Sequence, residues 1–159
     1  MTLFSRMLVQ NQARMIDYEQ RQNLLAEANK HMSEKRPAGA IALLEPYVEE
    51  HGGDYEARAL LGNAYLANGM FFNAESQYRE SLAINSDQHE LKKVMLRMQM
   101  DLKRWEEALE LAQEIVKEDP NDKVSIVMLE SCKENVERPE IGWERDAKRD
   151  DIFIDFSQD

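Results

Sequence analysis

The sequence predicts an all-α protein built from a repeated pair of helices. Apolar and small residues recur at helical spacing in two neighbouring stretches, Leu60, Leu61, Ala64 and Tyr65, then Ala74, Tyr78, Ser81 and Leu82. Asn68-Gly69 separates the two stretches, and glycine ends a helix readily because it tolerates a left-handed backbone. The composition agrees with a helical protein, because the 159 residues include only four prolines and six glycines.

The same pattern returns every 34 residues. Ala74 is matched by Ala40 and Ala108, at the place where the two helices of a pair should cross closely. Further columns of matching residues lie at the same spacing, among them Leu61, Met95 and Leu129; Leu44, Tyr78 and Ala112; Pro37, Phe71 and Trp105. Three units therefore follow one another without insertion or deletion, at residues 21–54, 55–88 and 89–122.

Leu61-Gly62, Tyr65, Gly69, Ala74 and Tyr78, together with the ending Asp119-Pro120-Asn121, resemble the tetratricopeptide repeat (TPR). The resemblance implies a right-handed TPR solenoid of three helix-turn-helix repeats, with an N-terminal helix and a C-terminal capping helix. The outer repeats depart from the motif at Glu27 and His31 and at Leu96 and Gln99. We expect such departures in end repeats because one of their faces meets solvent or a different partner.

The chain divides into three predicted parts. Residues 1–20 form a helical extension that either caps the first repeat or pairs with another subunit. A separate alternative is a self-assembling structural protein that forms homo-oligomers through its end repeats. Residues 21–137 form the TPR domain, in which Pro37 begins a helix, Asp54 is an N-cap, and residues 123–137 are the capping helix. Arg138-Pro139 ends that helix.

Residues 138–159 form an acidic tail that contains a compact apolar segment. Its candidate docking residues are Trp143, Ile152, Phe153, Ile154 and Phe156. Full burial of each of the last four would contribute roughly 1.5–3 kcal/mol. Two interpretations follow: the tail folds back on the repeats, or it docks on another protein.

The charge and the cysteine content restrict the partners and the compartment. A net charge of −11 argues against nucleic acid and anionic membrane surfaces, which attract basic proteins. Lys92, Lys93 and Arg97 are the densest basic group, interpreted as a solvated helix edge. The lone Cys132, predicted to be a buried thiol, favours a reducing compartment, the cytoplasm. The sequence has no apolar stretch long enough to span a bilayer, so we expect no membrane insertion.

Catalysis has little support in the sequence. His31, His51 and His89 are scattered, and none lies at metal-ligand spacing from a cysteine or carboxylate. A glycine-rich phosphate loop and a Gly-x-Ser-x-Gly turn are both missing. We therefore expect no enzyme activity, no metal and no cofactor.

The resemblance implies a concave groove, lined by the first helix of each repeat, where partner proteins bind. The groove residues it indicates are Leu25, Asn29, Met32, Leu60, Asn63, Leu66, Val94, Arg97, Met100, Val127 and Met128. The lining is mostly apolar, with a polar ladder of Asn29, Asn63 and Arg97 along one side. An asparagine amide can donate to and accept from a peptide backbone, and methionine adapts to irregular surfaces. The alternative is that the chain covers this surface itself.

Two subfamilies of TPR proteins can be compared with these residues. The cationic clamp that holds the C-termini of heat-shock chaperones corresponds here to Leu25, Asn29, Leu60, Glu90 and Val94, and only Asn29 agrees. Bacterial type III secretion translocator chaperones are more similar in length, acidity, repeat number and groove character. The predicted function is a non-catalytic protein-interaction module, an adaptor or assembly factor that binds a peptide or helix of another protein. The alternative is a dedicated cytoplasmic chaperone of an aggregation-prone client.

Overall fold

The computed structural model describes residues 3–137, with side chains from residue 17 onward. This range contains seven helices and no strand, which confirms the all-α class. The helices are α1 (Leu3–Ser33), α2 (Pro37–Glu50), α3 (Tyr55–Ala67), α4 (Phe71–Ile84), α5 (His89–Asp101), α6 (Trp105–Glu118) and α7 (Lys123–Glu137). The predicted N-terminal extension and the first helix of the first repeat form one continuous helix, α1.

The helix boundaries repeat with the period of the sequence. Pro37, Phe71 and Trp105 each begin the second helix of a repeat, and all three of these helices have 14 residues. The first helices α3 and α5 begin 34 residues apart and both have 13 residues. Asp54 caps α3 as predicted, because its carboxylate accepts a hydrogen bond from the backbone N–H of Ala57.

The turn inside each helix pair has the same geometry. Lys35, Gly69 and Lys103 occupy the same repeat position, and all three have a left-handed backbone with φ of 58°, 77° and 59°. The next residue closes each turn by donating its N–H to a carbonyl five residues earlier, in the bonds Arg36 to His31, Met70 to Tyr65 and Arg104 to Gln99, each 2.9 Å. This is the Schellman arrangement, which satisfies carbonyls left free at a helix end.

The chain splits into two compact units, Met1–Gln88 and His89–Asp159. Of the described residues, the first unit holds α1 to α4 and the second holds α5 to α7. The division falls where the predicted repeats 55–88 and 89–122 meet. The finer domain boundaries drawn from the sequence stay predictions.

In the first unit, α3 and α4 pack closely because one helix carries no side chain at the contact. A β-carbon added to Gly62 would lie 2.4 Å from the ring of Tyr78, so only glycine fits beside that ring. Tyr78 itself is fully buried, as are Ala40 and Ala74 at the predicted crossing positions. The Tyr78 hydroxyl donates to the Asn63 side-chain oxygen at 2.8 Å, which gives this buried polar group a partner.

In the second unit the large and the small side chain at the equivalent contact are exchanged between the two helices. Leu96 replaces the glycine and Ala112 replaces the tyrosine, and both are fully buried in one cluster with Ala108, Ile115, Leu129 and Cys132. Leu96 therefore does not face solvent, and neither does Gln99, which is only 4% exposed. A large side chain on α5 compensates for a small one on α6.

Ion pairs occur at equivalent places in the two units. Arg58 pairs with Glu80 in the first unit, and Lys92 pairs with Glu114 at 2.8 Å in the second. Lys92 also contacts Glu118 at 2.6 Å and is only 4% exposed, so its interpretation as part of a solvated edge is wrong. Burial alone would lower the pKa of Lys92, but the hydrogen bonds to these two carboxylates raise it.

Replacing Lys103 with glycine should stabilise the protein by about 1 kcal/mol, because a β-carbon is strained at positive φ. The measurement is the urea midpoint of unfolding. Lys103→Ala is the matched control, since it removes the same side chain but keeps the β-carbon, and it should have little effect. If alanine stabilised as much as glycine, the side chain rather than the backbone would be responsible. Gly69→Ala should have the opposite sign, although nothing crowds that position.

Exchanging the side-chain sizes at positions 96 and 112 should show that the two residues contribute to stability together. Leu96→Gly leaves a cavity and should destabilise the protein by about 2–5 kcal/mol. Ala112→Tyr overfills the core and should destabilise it by about 1–3 kcal/mol. The double variant reproduces the Gly62–Tyr78 pair. Its loss of stability should be smaller, by at least about 1 kcal/mol, than the sum of the losses of the two single variants. A double-mutant cycle from urea unfolding measures this difference, and simple additivity would contradict the compensation.

Candidate protein-binding cleft

The second unit contains a cleft of about 210 Å³ between α5 and α7. Its lining residues are Glu90, Lys93, Arg97, Asp122, Val124 and Met128. The first three lie on α5, the last two lie on α7, and Asp122 immediately precedes α7. The cleft therefore combines apolar side chains with both signs of charge.

Asp122 fixes the α7 side of the cleft. Its carboxylate accepts hydrogen bonds from the backbone N–H of Val124 at 3.1 Å and from the hydroxyl of Ser125 at 2.8 Å, at the N-terminus of α7. Lys93 contacts the same carboxylate at 2.7 Å, and so connects α5 to the start of α7. The bond to Lys93, followed by those from Ser125, lowers the pKa of Asp122 to about 2.

The two cations in the cleft differ in their availability. Lys93 is held by Asp122 and, at 3.2 Å, by Glu90. Arg97 is exposed, and within residues 17–137 it makes no hydrogen bond or ion pair. A guanidinium in this state can bind a carboxylate with two parallel hydrogen bonds.

The apolar part of this face is open to solvent. Val124 is 61% exposed and Val127, one turn further along α7, is 69% exposed. Met128 lies beside them, lining the cleft while also packing against the core cluster of the second unit. An apolar side chain followed by a carboxylate is the ligand chemistry that this surface and Arg97 together can accept.

Five of the groove residues predicted from the sequence lie in the second unit. Arg97 and Met128 line the cleft, and Val127 is exposed beside it. Val94 is half-buried, and Met100 packs partly against the core cluster. The prediction missed Glu90, Asp122 and Val124, and it placed Lys93 in a groove column without choosing it as a site residue. Val124 could have been found, because it lies one helical turn before Val127.

The six predicted groove residues of the first unit lie on α1 and α3. Leu25, Met32, Leu60 and Leu66 are half-buried. The two asparagines of the predicted ladder are partly engaged within the chain: Asn29 donates to the carbonyl of Leu25 at 2.9 Å, and Asn63 accepts from Tyr78. Each amide therefore has fewer free groups for a partner than the sequence suggested.

Other features of the described residues bear on function. Residues 17–137 hold no group of three His, Cys, Asp or Glu side chains that could bind a metal ion. Cys132 is fully buried, as predicted, and burial raises the pKa of its thiol. No described helix is long and apolar enough to cross a bilayer. The predicted tail residues Trp143, Ile152, Phe153, Ile154 and Phe156 lie outside the described residues.

The second helices of equal length, each joined to the preceding helix by the same turn, define an α-helical repeat protein. Comparison with solved structures specifies the fold as that of TPR domains. The TPR domain of Sgt2 from Aspergillus fumigatus matches with a TM-score of 0.63 and 18% identity, covering 74% of this chain and 80% of that one. The Arabidopsis OM64 TPR domain matches with a TM-score of 0.64 and 16% identity, covering 73% and 96%.

A third match is the second TPR domain of human RPAP3, solved in complex with an HSP70 peptide. Its TM-score is 0.61 and its identity 16%, and the match covers 69% of this chain and 92% of that domain. No protein-family model and no curated protein matches the sequence. At these identities the comparisons show the fold, and they confirm the TPR architecture expected from the repeat spacing.

Asp122→Asn should make stability less sensitive to acid. The folded-state pKa of Asp122, about 2, lies below the unfolded value of roughly 4. Its contribution is therefore fully present above about pH 4 and is lost as the pH falls towards 2. The variant should be less stable at pH 7 and lose less between pH 4 and 2, as measured by urea unfolding at each pH. Asp101→Asn, at the exposed end of α5, is the control, and identical pH profiles for wild type and Asp122→Asn would contradict the assignment.

Proposed function

We propose that this chain is a non-catalytic protein-interaction module, and that its second unit binds a short partner segment in the cleft between α5 and α7. The observation that carries the proposal is an exposed apolar surface, Val124 and Val127, next to the guanidinium of Arg97, which has no hydrogen-bond or ion-pair partner among residues 17–137. A segment that covers exposed apolar residues removes them from water, and its carboxylate can bind the neighbouring cation. Such a segment therefore binds favourably to this surface.

The TPR fold supports this proposal. The RPAP3 domain with the same fold holds a peptide, SGPTIEEVD, whose last residues combine valine and carboxylates. The heat-shock clamp uses Lys, Asn, Asn, Lys and Arg. Only Asn29 agrees among the corresponding residues here, Leu25, Asn29, Leu60, Glu90 and Val94, which argues against binding in the manner of that clamp. We propose instead a segment that presents one apolar side chain to Val124 and Val127 and one carboxylate to Arg97.

The first unit contributes a separate candidate surface on α1 and α3. Leu60 and Leu66 are half-buried there, and Asn29 keeps its side-chain oxygen as an acceptor. Its Nδ2 group is already used within α1. We propose that this surface is a site of its own for a partner backbone, whereas the cleft of the second unit binds side chains.

Within this class, an adaptor or assembly factor is the proposed role. A dedicated chaperone is the alternative, and the two differ in what happens to the partner. The client of a chaperone becomes insoluble when the chain is removed, whereas an adaptor joins proteins that are soluble alone. Fractionation of the captured partner with and without this chain separates the two roles.

Arg97→Ala should weaken partner binding about ten-fold, the value of a charge-assisted hydrogen bond. Partners captured from the native source by the full-length chain are quantified for wild type, Arg97→Ala and the matched control Lys117→Ala on α6. Arg97 is exposed, so circular dichroism should show unchanged helicity. Equal capture by all three proteins would place the binding site elsewhere.

Asn63→Ala tests the first unit in the same assay. This change also removes the acceptor of the Tyr78 hydroxyl, so its thermal unfolding is measured in parallel. Reduced capture with the same midpoint would support the surface on α1 and α3, and unchanged capture would remove Asn63 from the site.

A further inference from the structure

We infer that, in the free chain, the α5/α7 cleft is occupied by the chain's own segment 151–156, which competes with the partner. This inference rests on the proposed role of the cleft as a binding site. It adds a regulatory step, because a partner must displace the segment before it can bind.

The chemistry of the segment matches that of the cleft. Residues 151–156 read Asp-Ile-Phe-Ile-Asp-Phe, four large apolar side chains with two carboxylates. Asp155 lies between two apolar residues, Ile154 and Phe156. The cleft offers complementary chemistry, with Val124 and Met128 in its lining, Val127 exposed beside it, and Arg97, which has no partner among residues 17–137. Lys93 is less available because Asp122 and Glu90 already hold it.

The length of chain after α7 is sufficient to reach the cleft. From Glu137 back to Val124 the helix rises by roughly 20 Å, at 1.5 Å per residue. Residues 138–150 separate the end of α7 from the segment. Thirteen residues can span up to about 45 Å. The distance to be covered is thus well within the contour length of the connection.

Tethering favours the chain's own segment over the other occupants. A short tether gives a local concentration in the millimolar range, above that of a second copy in a typical solution. Two separate copies, each with a net charge of −11, also repel one another as whole molecules. Both effects favour docking within one chain.

Disulfide trapping in the full-length chain tests the inference. Val124→Cys marks the cleft and Ser157→Cys marks the tail without removing any of its apolar residues. The matched control replaces Val124→Cys with Lys117→Cys on α6, and Cys132 stays in both proteins because it is fully buried. If the segment docks, mild oxidation at low protein concentration should form the intramolecular disulfide about ten-fold faster in the cleft pair than in the control pair.

Arg97→Glu, added to the cleft pair, should slow trapping to the rate of the control pair. Non-reducing gels separate intramolecular from intermolecular products. Equal rates for the cleft and control pairs would overturn the inference, and so would trapping that Arg97→Glu leaves unchanged. Predominantly dimeric products would overturn it in favour of a second copy as the occupant.

Partner capture separates this inference from the proposed function. Phe153→Ser combined with Phe156→Ser should increase capture about ten-fold, the scale expected when an intramolecular competitor is removed. Arg97→Ala is therefore also measured in the Phe153→Ser/Phe156→Ser protein, where the tail no longer competes for Arg97. Specific trapping combined with capture that does not depend on Arg97 in that protein would contradict the proposed function alone. Unspecific trapping combined with capture that does depend on Arg97 there would contradict the docked tail alone.

Discussion

The close crossing of the two helices in each repeat is the constraint on which the rest of the structure depends. Ala40, Ala74 and Ala108 have no exposed surface, so each helix pair is in contact at a small side chain. Beside that contact, one large residue is accommodated by one small residue, Tyr78 by Gly62 and Leu96 by Ala112. Close-packed interiors allow such exchanges only when the total volume is kept.

Polar contacts also recur at equivalent positions of successive repeats, although the residues that form them differ. Tyr47 donates to Asp54 at 3.0 Å, and 34 residues later Gln88 donates to the carbonyl of Ser81 at 3.1 Å. Each of these bonds joins the end of a second helix to the linker that follows it. The position of the contact is thus kept in these two linkers while the residues that make it differ.

The helices could be predicted from the sequence because their periodicity and their breakers are local signals. The left-handed turns at Lys35 and Lys103 could not, because lysine gives no sign of positive φ and only the repeat phase aligns both with Gly69. In the site, Arg97 was found by its repeat position. Asp122 was not, because its role depends on spatial proximity to Lys93. The burial of Lys92 was missed for a similar reason, since lysine is buried only where carboxylates surround it.

Local unfolding at the turns at Lys35 and Lys103 can be detected by limited proteolysis with trypsin. Each is a dibasic pair, Lys35-Arg36 in the first unit and Lys103-Arg104 in the second, whereas the turn at Gly69 has no basic residue. Trypsin cuts after lysine and arginine, but only in backbone that has left its folded conformation. Early fragments ending near residue 35 or near residue 103 would therefore tell which helix pair loosens first, without any label attached to the protein.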